Sequence, residues 1–358
     1  MVPELALRGD TKMIVVLGYY GFANLGDEAI LQTLCHDLLD LGFSHQNILV
    51  VSGNPEQTRA DHGVKAIGRF DFVQLWQALG SARCLIAGGG SLLQDVTSKR
   101  SIPYYLGIVE LALLRKVPVL MYGQGVGPVQ SKCYGRWVRR AFTKSVAYTV
   151  RDQVSAQLLD DLGVPDRLGS LCADPVFQKT PQSNSVSIGA PRVLLNLRPY
   201  SLWPKQQELW VGLIQYWQEQ GQLVEFIPLG PGDRDLGLAL QTRLPKLQVH
   251  PTLTLDRVKE VYEGATLCIS MRLHGIIFAA LEGVLPLGLN YDPKVEAISE
   301  QLHIPYWELE DLASLRTAVE TVIAQREYYE LQYRPALEEL RTRAVGNRAM
   351  LAQVLKQG

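Results

Sequence analysis

The sequence contains little cysteine, and its cysteines show no arrangement typical of a disulfide or a metal site. Five occur in 358 residues, an odd number, with no Cys-x-x-Cys pair and no Cys/His pattern spaced as in zinc proteins. Most of them lie in apolar segments, where a thiol behaves as a small hydrophobic side chain. We therefore expect neither a disulfide framework nor a zinc site, and we expect the protein to need no metal or organic cofactor.

An excess of charge of one sign is also missing. The chain has 35 basic and 36 acidic residues and a net charge of −1, so its composition does not indicate a nucleic-acid-binding protein. An anion-binding site would therefore have to be built locally, from a few basic side chains.

A long apolar run is missing as well. The first residues, MVPELALRGDTKM, lack the basic stretch and apolar core of a signal or transit peptide, so we expect a cytoplasmic protein. The most apolar window, 102–121, contains Glu110, Arg115, Lys116 and two prolines, which makes it a poor membrane span.

What is present is a regular alternation of short β-branched runs and amphipathic helical stretches, the pattern of parallel sheets covered by helices. The length exceeds that of one usual hydrophobic core. Between 169 and 191 the periodicity is lost and Pro, Ser, Asn and Gly accumulate, as in a domain linker. The sequence thus predicts an α/β protein with two Rossmann-like domains facing a cleft, residues 1–183 and 184–358. C-terminal helices, expected to break around Pro335, can pack back on the first domain.

The first glycine-rich segment, GYYGFANLGDEA (18–29), follows a predicted strand and opens a predicted helix. Ligands of such folds bind at the carboxyl ends of strands, and glycines such as Gly26 let a ligand approach the backbone. The carboxylates of Asp27 and Glu28 would repel a phosphate there and suit sugar hydroxyls better. The alternative is that Asn24 or Asp27 only caps the helix and that both acids complement its dipole.

A second glycine-rich segment is CLIAGGGSLLQD (84–95), in which Gly89 and Gly90 lie in a turn after a predicted strand. We expect a helix to follow, with Ser91 as its N-cap and with Gln94 and Asp95 one turn in. The turn is then either a nest for an anion or for hydroxyl groups, or only a tight connection between strand and helix.

A third segment, VLMYGQGVGP (119–128), also ends a predicted strand in glycines. It reads GxGxG followed by proline, whereas a dinucleotide fingerprint reads GxGxxG and opens a helix. We therefore predict no dinucleotide site.

Arginines stand at the ends of two further predicted strands. Arg151 comes directly after VAYTV, and Arg198 comes directly after VLLNL. Exposed arginines are usually only solvated. Both lie, however, at the edge where a ligand of this fold class would bind.

The segment SMRLHGI (270–276) places two ionisable side chains in an otherwise apolar stretch. Arg272 and His274 fall between a predicted strand and a predicted helix, and burying them without partners would be costly. Beside a helix N-terminus they would form an anion-binding pair that includes a titratable group. Lys294 begins the helix after the next strand, so the three side chains could converge on one multiply charged anion. The alternative for His274 is a purely structural role.

Taken together, these segments resemble the polysaccharide pyruvyltransferase family, most closely its CsaB-type branch from bacterial cell-wall polymer synthesis. The resemblance extends from about Ile14 to about Ala297 and rests on the joint order of the segments rather than on any one of them. They are G-Y-Y-G-F-A-N-L-G-D-E-A (18–29), A-G-G-G-S-L-L-Q-D (87–95), G-Q-G-V-G-P (123–128), V-R-D (150–152), A-D-P-V-F (173–177), M-R-L-H (271–274) and Y-D-P-K-V (291–295).

The resemblance implies a GT-B-like fold with the active site between two domains. It also implies transfer of a pyruvyl group from the substrate phosphoenolpyruvate to a sugar. In that family, residues matching Arg151, the segment Arg272, Leu273 and His274, and Lys294 are implicated in donor binding or catalysis. We place the donor on the second domain, with Arg198 as a further contact, and the acceptor on the first. The candidates for acceptor binding are Asn24, Gly26, Asp27, Glu28, Gly89, Gly90, Ser91, Gln94 and Asp95.

The acceptors of the family are saccharides, often β-linked N-acetylmannosamine on an undecaprenyl-diphosphate-linked precursor, and the product is a cyclic pyruvate ketal. We expect His274 to act as general acid or base, because an imidazole can donate or accept a proton near neutral pH. An enzyme that uses a lipid-linked acceptor must approach the inner face of the membrane, and the segment 134–140 or the C-terminal helices are candidate contacts. The aromatic side chains of 134–140 could instead belong to the core.

Two other functions fit the same residues. A GT-B glycosyltransferase would use a nucleotide-sugar as donor, and it would release a nucleotide rather than phosphate. A non-catalytic saccharide-binding or regulatory protein could have kept the fold. Pure binding does not require a histidine beside two cations, which favours an enzyme.

Overall fold

The computed structural model describes residues 12–96, 100–182 and 190–357. The chain forms two compact units. The first consists of Met1–Phe22, Asp27–Gln178 and Leu340–Gly358, and the second consists of Ala23–Gly26 and Lys179–Glu339. The sequence predicted a domain boundary at 183/184, and the main division between the units falls at 178/179. In addition, the segment 23–26 belongs to the second unit, and residues 340–358 belong to the first.

The first unit is built from strands and helices that alternate along the chain. Its strands are β1 Met13–Tyr20, β2 Ile48–Ser52, β3 Lys65–Gly68, β4 Ala82–Ala87, β5 Gly90–Leu93, β6 Val119–Val126, β7 Ala147–Val150 and β8 Gly169–Leu171. Its helices are α1 Leu25–Asp40, whose first two residues count with the second unit, α2 Pro55–His62, α3 Phe72–Ser81, α4 Ser101–Leu114, α5 Lys132–Lys144 and α6 Gln153–Asp161. Single 3-10 turns occupy His45–Asn47, Asp166–Leu168 and Pro175–Gln178.

The eight strands form one parallel sheet in the order β3-β2-β1-β4-β6-β7-β8, with β5 beside β6. Side chains of β1 point alternately to the two faces, Val15 and Leu17 into one buried cluster and Ile14 and Val16 into the other. Because both faces are covered, these strands are apolar throughout rather than alternating with polar residues. Parallel pairing brings all the carboxyl ends of the strands to one edge of the sheet.

The second unit repeats this plan with six parallel strands in the order β11-β10-β9-β12-β13-β14. Its strands are β9 Arg192–Asn196, β10 Leu223–Phe226, β11 Gln248–Val249, β12 Leu267–Ser270, β13 Leu285–Asn290 and β14 Tyr306–Glu308. Its helices are α7 Trp203–Glu219, α8 Asp233–Gln241, α9 Val258–Tyr262, α10 Leu273–Leu281, α11 Pro293–Leu302, α12 Leu312–Ala324 and the first part of α13 Arg326–Gln357, with 3-10 turns at Leu255–Arg257 and Leu309–Asp311. The predicted fold class, α/β with two parallel sheets covered by helices, is confirmed.

The helix expected after the second glycine-rich segment is wrong. Residues Gly90–Leu93 form β5, which pairs with the second half of β6 beyond the point where β4 ends. Gly90 has φ +106°, a value open to glycine, and this backbone angle returns the chain to an extended path. Leu92 and Leu93 are buried there, so the strand gains core contacts that a helix start at Ser91 would lack.

The helix break expected around Pro335 is also wrong. Helix α13 runs through Pro335, and the separation between α12 and α13 falls at Gln325. Proline removes one backbone hydrogen bond from a helix interior. Around it, however, Tyr333, Ala336 and Leu337 are buried, and their packing offsets that loss.

Candidate active site

Three cationic side chains of the second unit follow neighbouring strands. Arg198 lies two residues after β9, Arg272 two residues after β12, and Lys294 follows β13 at the second position of α11. In the sheet, β12 lies between β9 and β13, and all three strands are parallel. The three residues therefore stand at the same edge of one sheet. The set that the sequence predicted to converge on one anion was Arg272, His274 and Lys294.

Arg272 is held by a buried carboxylate. Its Nε and Nη2 donate to the two oxygens of Asp233 at 2.7 and 2.6 Å, and Asp233 is fully buried. Asp233 also accepts from the backbone N–H of Leu229 at 3.0 Å and from the Asn196 side chain at 3.1 Å. Such a bidentate pair fixes the plane of the guanidinium. Among the described residues, Nη1 of Arg272 has no hydrogen-bond partner.

Arg198 and Lys294 are joined through a tyrosine. Nη1 of Arg198 donates to the hydroxyl of Tyr291 at 2.6 Å, and its guanidinium lies 4.8 Å from the centre of the Tyr291 ring. Nζ of Lys294 lies 5.4 Å from the same ring and pairs with Asp292 at 3.1 Å. The ring face attracts both cations, which would otherwise repel each other.

His274 lies in the first turn of α10, directly after the buried Leu273. Gly26 belongs to the same unit, and a Cβ added at position 26 would lie 2.1 Å from Nδ1 of His274. The segment that carries Gly26 is held to this unit by a hydrogen bond from Leu25 N–H to Leu229 C=O at 2.9 Å. Glycine at position 26 thus provides the space that the imidazole occupies. Asn24 directly precedes helix α1 in this segment.

Arg151 belongs to the first unit, at the end of β7, and it is only 5% exposed. Nη1 donates to Asp174 at 3.1 Å and Nη2 to Ser91 Oγ at 2.9 Å, while Nε lies 3.5 Å from Asp152. Burial by itself would lower the pKa of Arg151, but the charges of Asp174 and Asp152 outweigh it and raise the pKa. The guanidinium is therefore charged and locked in place.

The candidate acceptor residues of the first unit divide into two sets. The first set lies close to Arg151. Asp27, which is buried and contributes to the raised pKa of Arg151, comes so near to Gly90 that a Cβ there would lie 2.7 Å from its Oδ1. Ser91 contacts Arg151 directly, and Gly89 packs against Gly123 C=O. The structure thus brings Asp27, Gly90, Ser91 and Arg151 together.

The second set makes contacts that stabilise loops. Glu28 accepts from Gly21 N–H at 2.8 Å and pairs with His62 at 3.0 Å, which closes the turn after β1. Asp95 accepts from the backbone N–H groups of Gln130 and Ser131, both at 2.9 Å, and Gln94 accepts from the N–H of Val96 at 3.0 Å. Each of these side chains uses at least one oxygen within its own unit.

Several residues of these clusters were not predicted. Asp233 was not singled out, because nothing in the segment DRDLGLALQ shows that its first aspartate is the buried one. Tyr291 stands three positions before Lys294 in the quoted segment YDPKV, and that spacing could have pointed to it. Asp174 stands in the quoted segment ADPVF, but it is 23 positions from Arg151, so only the fold brings the two together. Tyr20 and Gln124, which stand in the quoted segments 18–29 and 123–128, carry buried polar atoms, Oη and Oε1, with no hydrogen-bond partner in the described structure.

Among solved structures, the chain is similar in fold to proteins that were solved with UDP and glucose or with a UDP-sugar bound. Anabaena Alr3699/HepE in complex with UDP and glucose has a TM-score of 0.63 at 12% identity, with 96% of this chain and 99% of that chain covered. UDP-GlcNAc 2-epimerase from Neisseria meningitidis bound to UDP-GlcNAc has a TM-score of 0.66 at 12% identity, with 97% and 100% covered. These similarities define the fold as GT-B-like.

A comparison with family models matches residues 24–293 to polysaccharide pyruvyl transferase, and the chain belongs to this family of transferases. The resemblance seen in the sequence is thereby confirmed. Among curated proteins, the amylovoran biosynthesis protein AmsJ of Erwinia amylovora is 24% identical over 307 residues, covering 76% of this chain and 72% of AmsJ. The roles of the individual site residues stay predictions.

Among the described residues, no helix is both long and apolar enough to cross a bilayer. Nor do three or more His, Cys, Asp or Glu side chains of the described ranges form a group that could hold a metal ion.

Proposed function

We propose that this transferase moves a pyruvyl group from phosphoenolpyruvate to a sugar of a cell-wall or cell-surface polysaccharide precursor, forming a cyclic pyruvate ketal and releasing phosphate. Membership of the polysaccharide pyruvyl transferase family supports pyruvyl transfer to a saccharide. Similarity to a protein of amylovoran biosynthesis supports a polysaccharide as the destination. N-acetylmannosamine, free or lipid-linked, is the acceptor to test first.

The cations at the edge of the second unit's sheet carry this proposal. Phosphoenolpyruvate has a carboxylate and a phosphate, and Arg198, Arg272 and Lys294 follow three adjacent parallel strands. Arginine suits planar carboxylate and phosphate groups through its fork of N–H donors. Because Asp233 occupies Nε and one Nη2 hydrogen of Arg272, the donor would meet the Nη1 side of that guanidinium.

The proposed reaction needs only phosphoenolpyruvate, the sugar and the transfer of protons between them. C3 of phosphoenolpyruvate gains a proton, and one sugar hydroxyl loses its proton and bonds to C2. The C2–O bond to phosphate then breaks, and a second hydroxyl of the same hexose bonds to C2 and loses its proton; the two hydroxyls are typically O4 and O6. One hydroxyl proton replaces the one gained by C3, and the other leaves with phosphate.

His274 would transfer protons in this scheme. It stands two positions after Arg272 in the first turn of α10, at the same sheet edge as the cations. An imidazole can both donate and accept near neutral pH. Neighbouring cations would stabilise the charge that develops on the departing phosphate.

For the first unit we propose the acceptor role, with Asp27 and Ser91 as the contacts to sugar hydroxyls and Arg151 as a donor contact. Asp27→Ala should raise the acceptor KM more than the phosphoenolpyruvate KM, because a carboxylate serves hydroxyls and repels an anion. Steady-state kinetics with each substrate varied in turn measures this difference. A larger rise in the phosphoenolpyruvate KM would reject the assignment.

The decisive experiment for the function is incubation of the full chain with phosphoenolpyruvate and a panel of saccharides. Free phosphate and the mass of the product are followed, and a parallel arm contains UDP-sugars. Phosphate release together with a saccharide product carrying a ketal-linked pyruvyl group supports the proposal. Release of UDP, with no turnover of phosphoenolpyruvate, overturns it in favour of a glycosyltransferase.

A further inference from the structure

Helix α3 of the first unit exposes an apolar face. Phe72, Val73 and Trp76 are 50, 69 and 43% exposed, while Leu75 and Leu79 of the same helix are buried. The helix therefore anchors one side in the core and presents the other outward. With the exposed Phe70 before it and Leu114 at the end of α4, these residues form what we term the α3 patch: Phe70, Phe72, Val73, Trp76 and Leu114.

Ring contacts, helix spacing and a cation–ring contact connect the members of the α3 patch. The rings of Phe70 and Phe72 are 6.4 Å apart, and Phe70 meets Tyr104 of α4 edge-on at 5.9 Å. Phe72 and Trp76 are four residues apart on one helix, so they share a face. At the far end, the guanidinium of Arg115 lies 4.5 Å from the ring of Trp76, and Leu114 directly precedes it.

Arg69 and Arg115 contact rings of the α3 patch and, with Arg100 and Lys116 at the two ends of helix α4, form what we term its basic border. The guanidinium of Arg69 lies 4.8 Å from the ring of Phe70 and 4.4 Å from that of Tyr104. The stretches 69–76 and 100–116 contain four basic residues and two acidic ones. One of the acids, Glu110, is paired with Arg140 at 2.8 Å. The basic residues are Arg69, Arg100, Arg115 and Lys116.

We propose that the α3 patch binds an anionic lipid surface. Aromatic rings with adjacent arginines are the composition of protein surfaces that lie at the level of lipid headgroups, and the basic border complements anionic lipids. A protein partner would require about 20 to 30 residues on each side, whereas this patch has five projecting side chains. A bilayer surface demands no matching shape. This inference does not depend on the proposed function.

Vesicle sedimentation tests the proposal with the full chain. We expect the protein to pellet with phosphatidylcholine vesicles containing about one third phosphatidylglycerol, less with pure phosphatidylcholine, and less as salt is raised. The double variant Phe72→Ser, Trp76→Ser should lower the partition coefficient roughly tenfold or more, because two aromatic side chains no longer enter the interface. Arg115→Gln should lower it about fivefold.

Matched controls separate the α3 patch from the rest of the surface. Val73→Ser is compared with Val154→Ser, since Val154 is a 59% exposed valine on α6 of the same unit. Arg115→Gln is compared with Arg136→Gln, because Arg136 lies in the segment 134–140 that the sequence suggested as a membrane contact. Thermal unfolding of each variant confirms that it is folded. We expect both control variants to bind as the original chain does.

Four outcomes would overturn the proposal. The original chain stays in the supernatant with anionic vesicles, or the double variant pellets equally well. Either control variant loses as much binding as its partner in the patch. Finally, light scattering could show a dimer that Val73→Ser converts to a monomer, which would assign the α3 patch to a second copy of the chain.

Discussion

The space that a side chain at position 26 would need is filled by the imidazole of His274. Gly26→Ala should therefore displace the ring and lower kcat by roughly tenfold to a hundredfold, since a shift of about 1 Å in a reacting group costs this much. The KM for phosphoenolpyruvate should change little. Gly212→Ala is the control, because no atom lies within 4 Å of a Cβ placed there.

His274→Ala is the companion experiment. Turnover should be lost while phosphoenolpyruvate binding, measured by calorimetry, is largely kept. A near-normal kcat in His274→Ala would remove His274 from the chemistry, whereas a near-normal kcat in Gly26→Ala alone would show that the ring is not displaced. Loss of donor binding in both would instead make the ring a binding group.

Asp233 positions Arg272, and substituting it tests the role of a second single residue. Asp233→Asn removes the charge that faces the guanidinium in a buried site, and we expect a loss of about 3 to 5 kcal/mol in the free energy of unfolding. The KM for phosphoenolpyruvate should also rise. Asp235→Asn is the matched control for Asp233→Asn, since Asp235 is an exposed aspartate in the same first turn of α8.

Urea unfolding and kinetics at fixed acceptor concentration check both effects of Asp233→Asn. We expect no measurable change for Asp235→Asn. If the variant at 233 unfolds earlier but keeps its donor KM, the geometry of Arg272 is irrelevant to donor binding, and only its contribution to stability remains.

At the scale of elements, one carboxylate ties together three strands at the edge of the second sheet. Glu225 in β10 accepts from Arg192 of β9 at 2.6 and 2.7 Å, and His250, directly after β11, lies 2.6 Å away. Burial would raise the pKa of Glu225, but the hydrogen bonds from Arg192 and His250 outweigh it and lower the pKa to about 2. The ionised form is thus bound more tightly in the folded chain than in the unfolded one.

The lowered pKa of Glu225 predicts the direction in which stability changes with pH. This stabilisation is complete above the ordinary pKa of 4.5 and is lost as pH falls from there to about 2. The lowered pKa of Glu225 contributes about 3 kcal/mol to the free energy of unfolding. Between neutral pH and a pH of about 3, the free energy of unfolding should fall more steeply in the original chain than in Glu225→Gln. Glu208→Gln, which removes an exposed pair with Arg243, should change this slope far less, because solvent screens an exposed pair.

Strand ends could be predicted from the sequence, whereas long-range pairings could not. Strand ends were readable, because apolar runs stop at Val150, Ser270 and Asn290, and so Arg151, Arg272 and Lys294 were placed directly after strands. The helix expected at Ser91 was wrong, because pairing with β6 is a long-range contact that local pattern does not encode. For the same reason, the buried partner Asp233, 39 residues from Arg272, escaped prediction.

At the scale of the whole molecule, α13 serves both units. Residues up to Glu339 count with the second unit, and residues from Leu340 count with the first. Leu351 and Leu355 are buried beside Ile14 and Val16 of β1. Arg83 donates to Leu355 C=O, and the side chain of Asn347 donates to Ala173 C=O at 2.9 Å.

Leu351→Ala should therefore destabilise the first unit by about 2 to 5 kcal/mol, the usual result of emptying a core position. Leu331→Ala on the same helix is the control. Leu331 is 73% exposed, so its substitution should change the free energy of unfolding by about 0.5 kcal/mol or less. Urea denaturation followed by circular dichroism measures both. Equal effects at the two positions would contradict the packing described for α13.

The passage of α13 from one unit to the other imposes an order on biosynthesis. On the ribosome, β1 is made first, but the side chains that cover it at positions 351 and 355 emerge more than three hundred residues later. Apart from 23–26, the second unit consists of one uninterrupted stretch that is already finished by then. The amino-terminal half must wait, incompletely covered, for the carboxyl-terminal half to be translated, and a nascent chain stalled before residue 340 would leave that apolar surface open to chaperones.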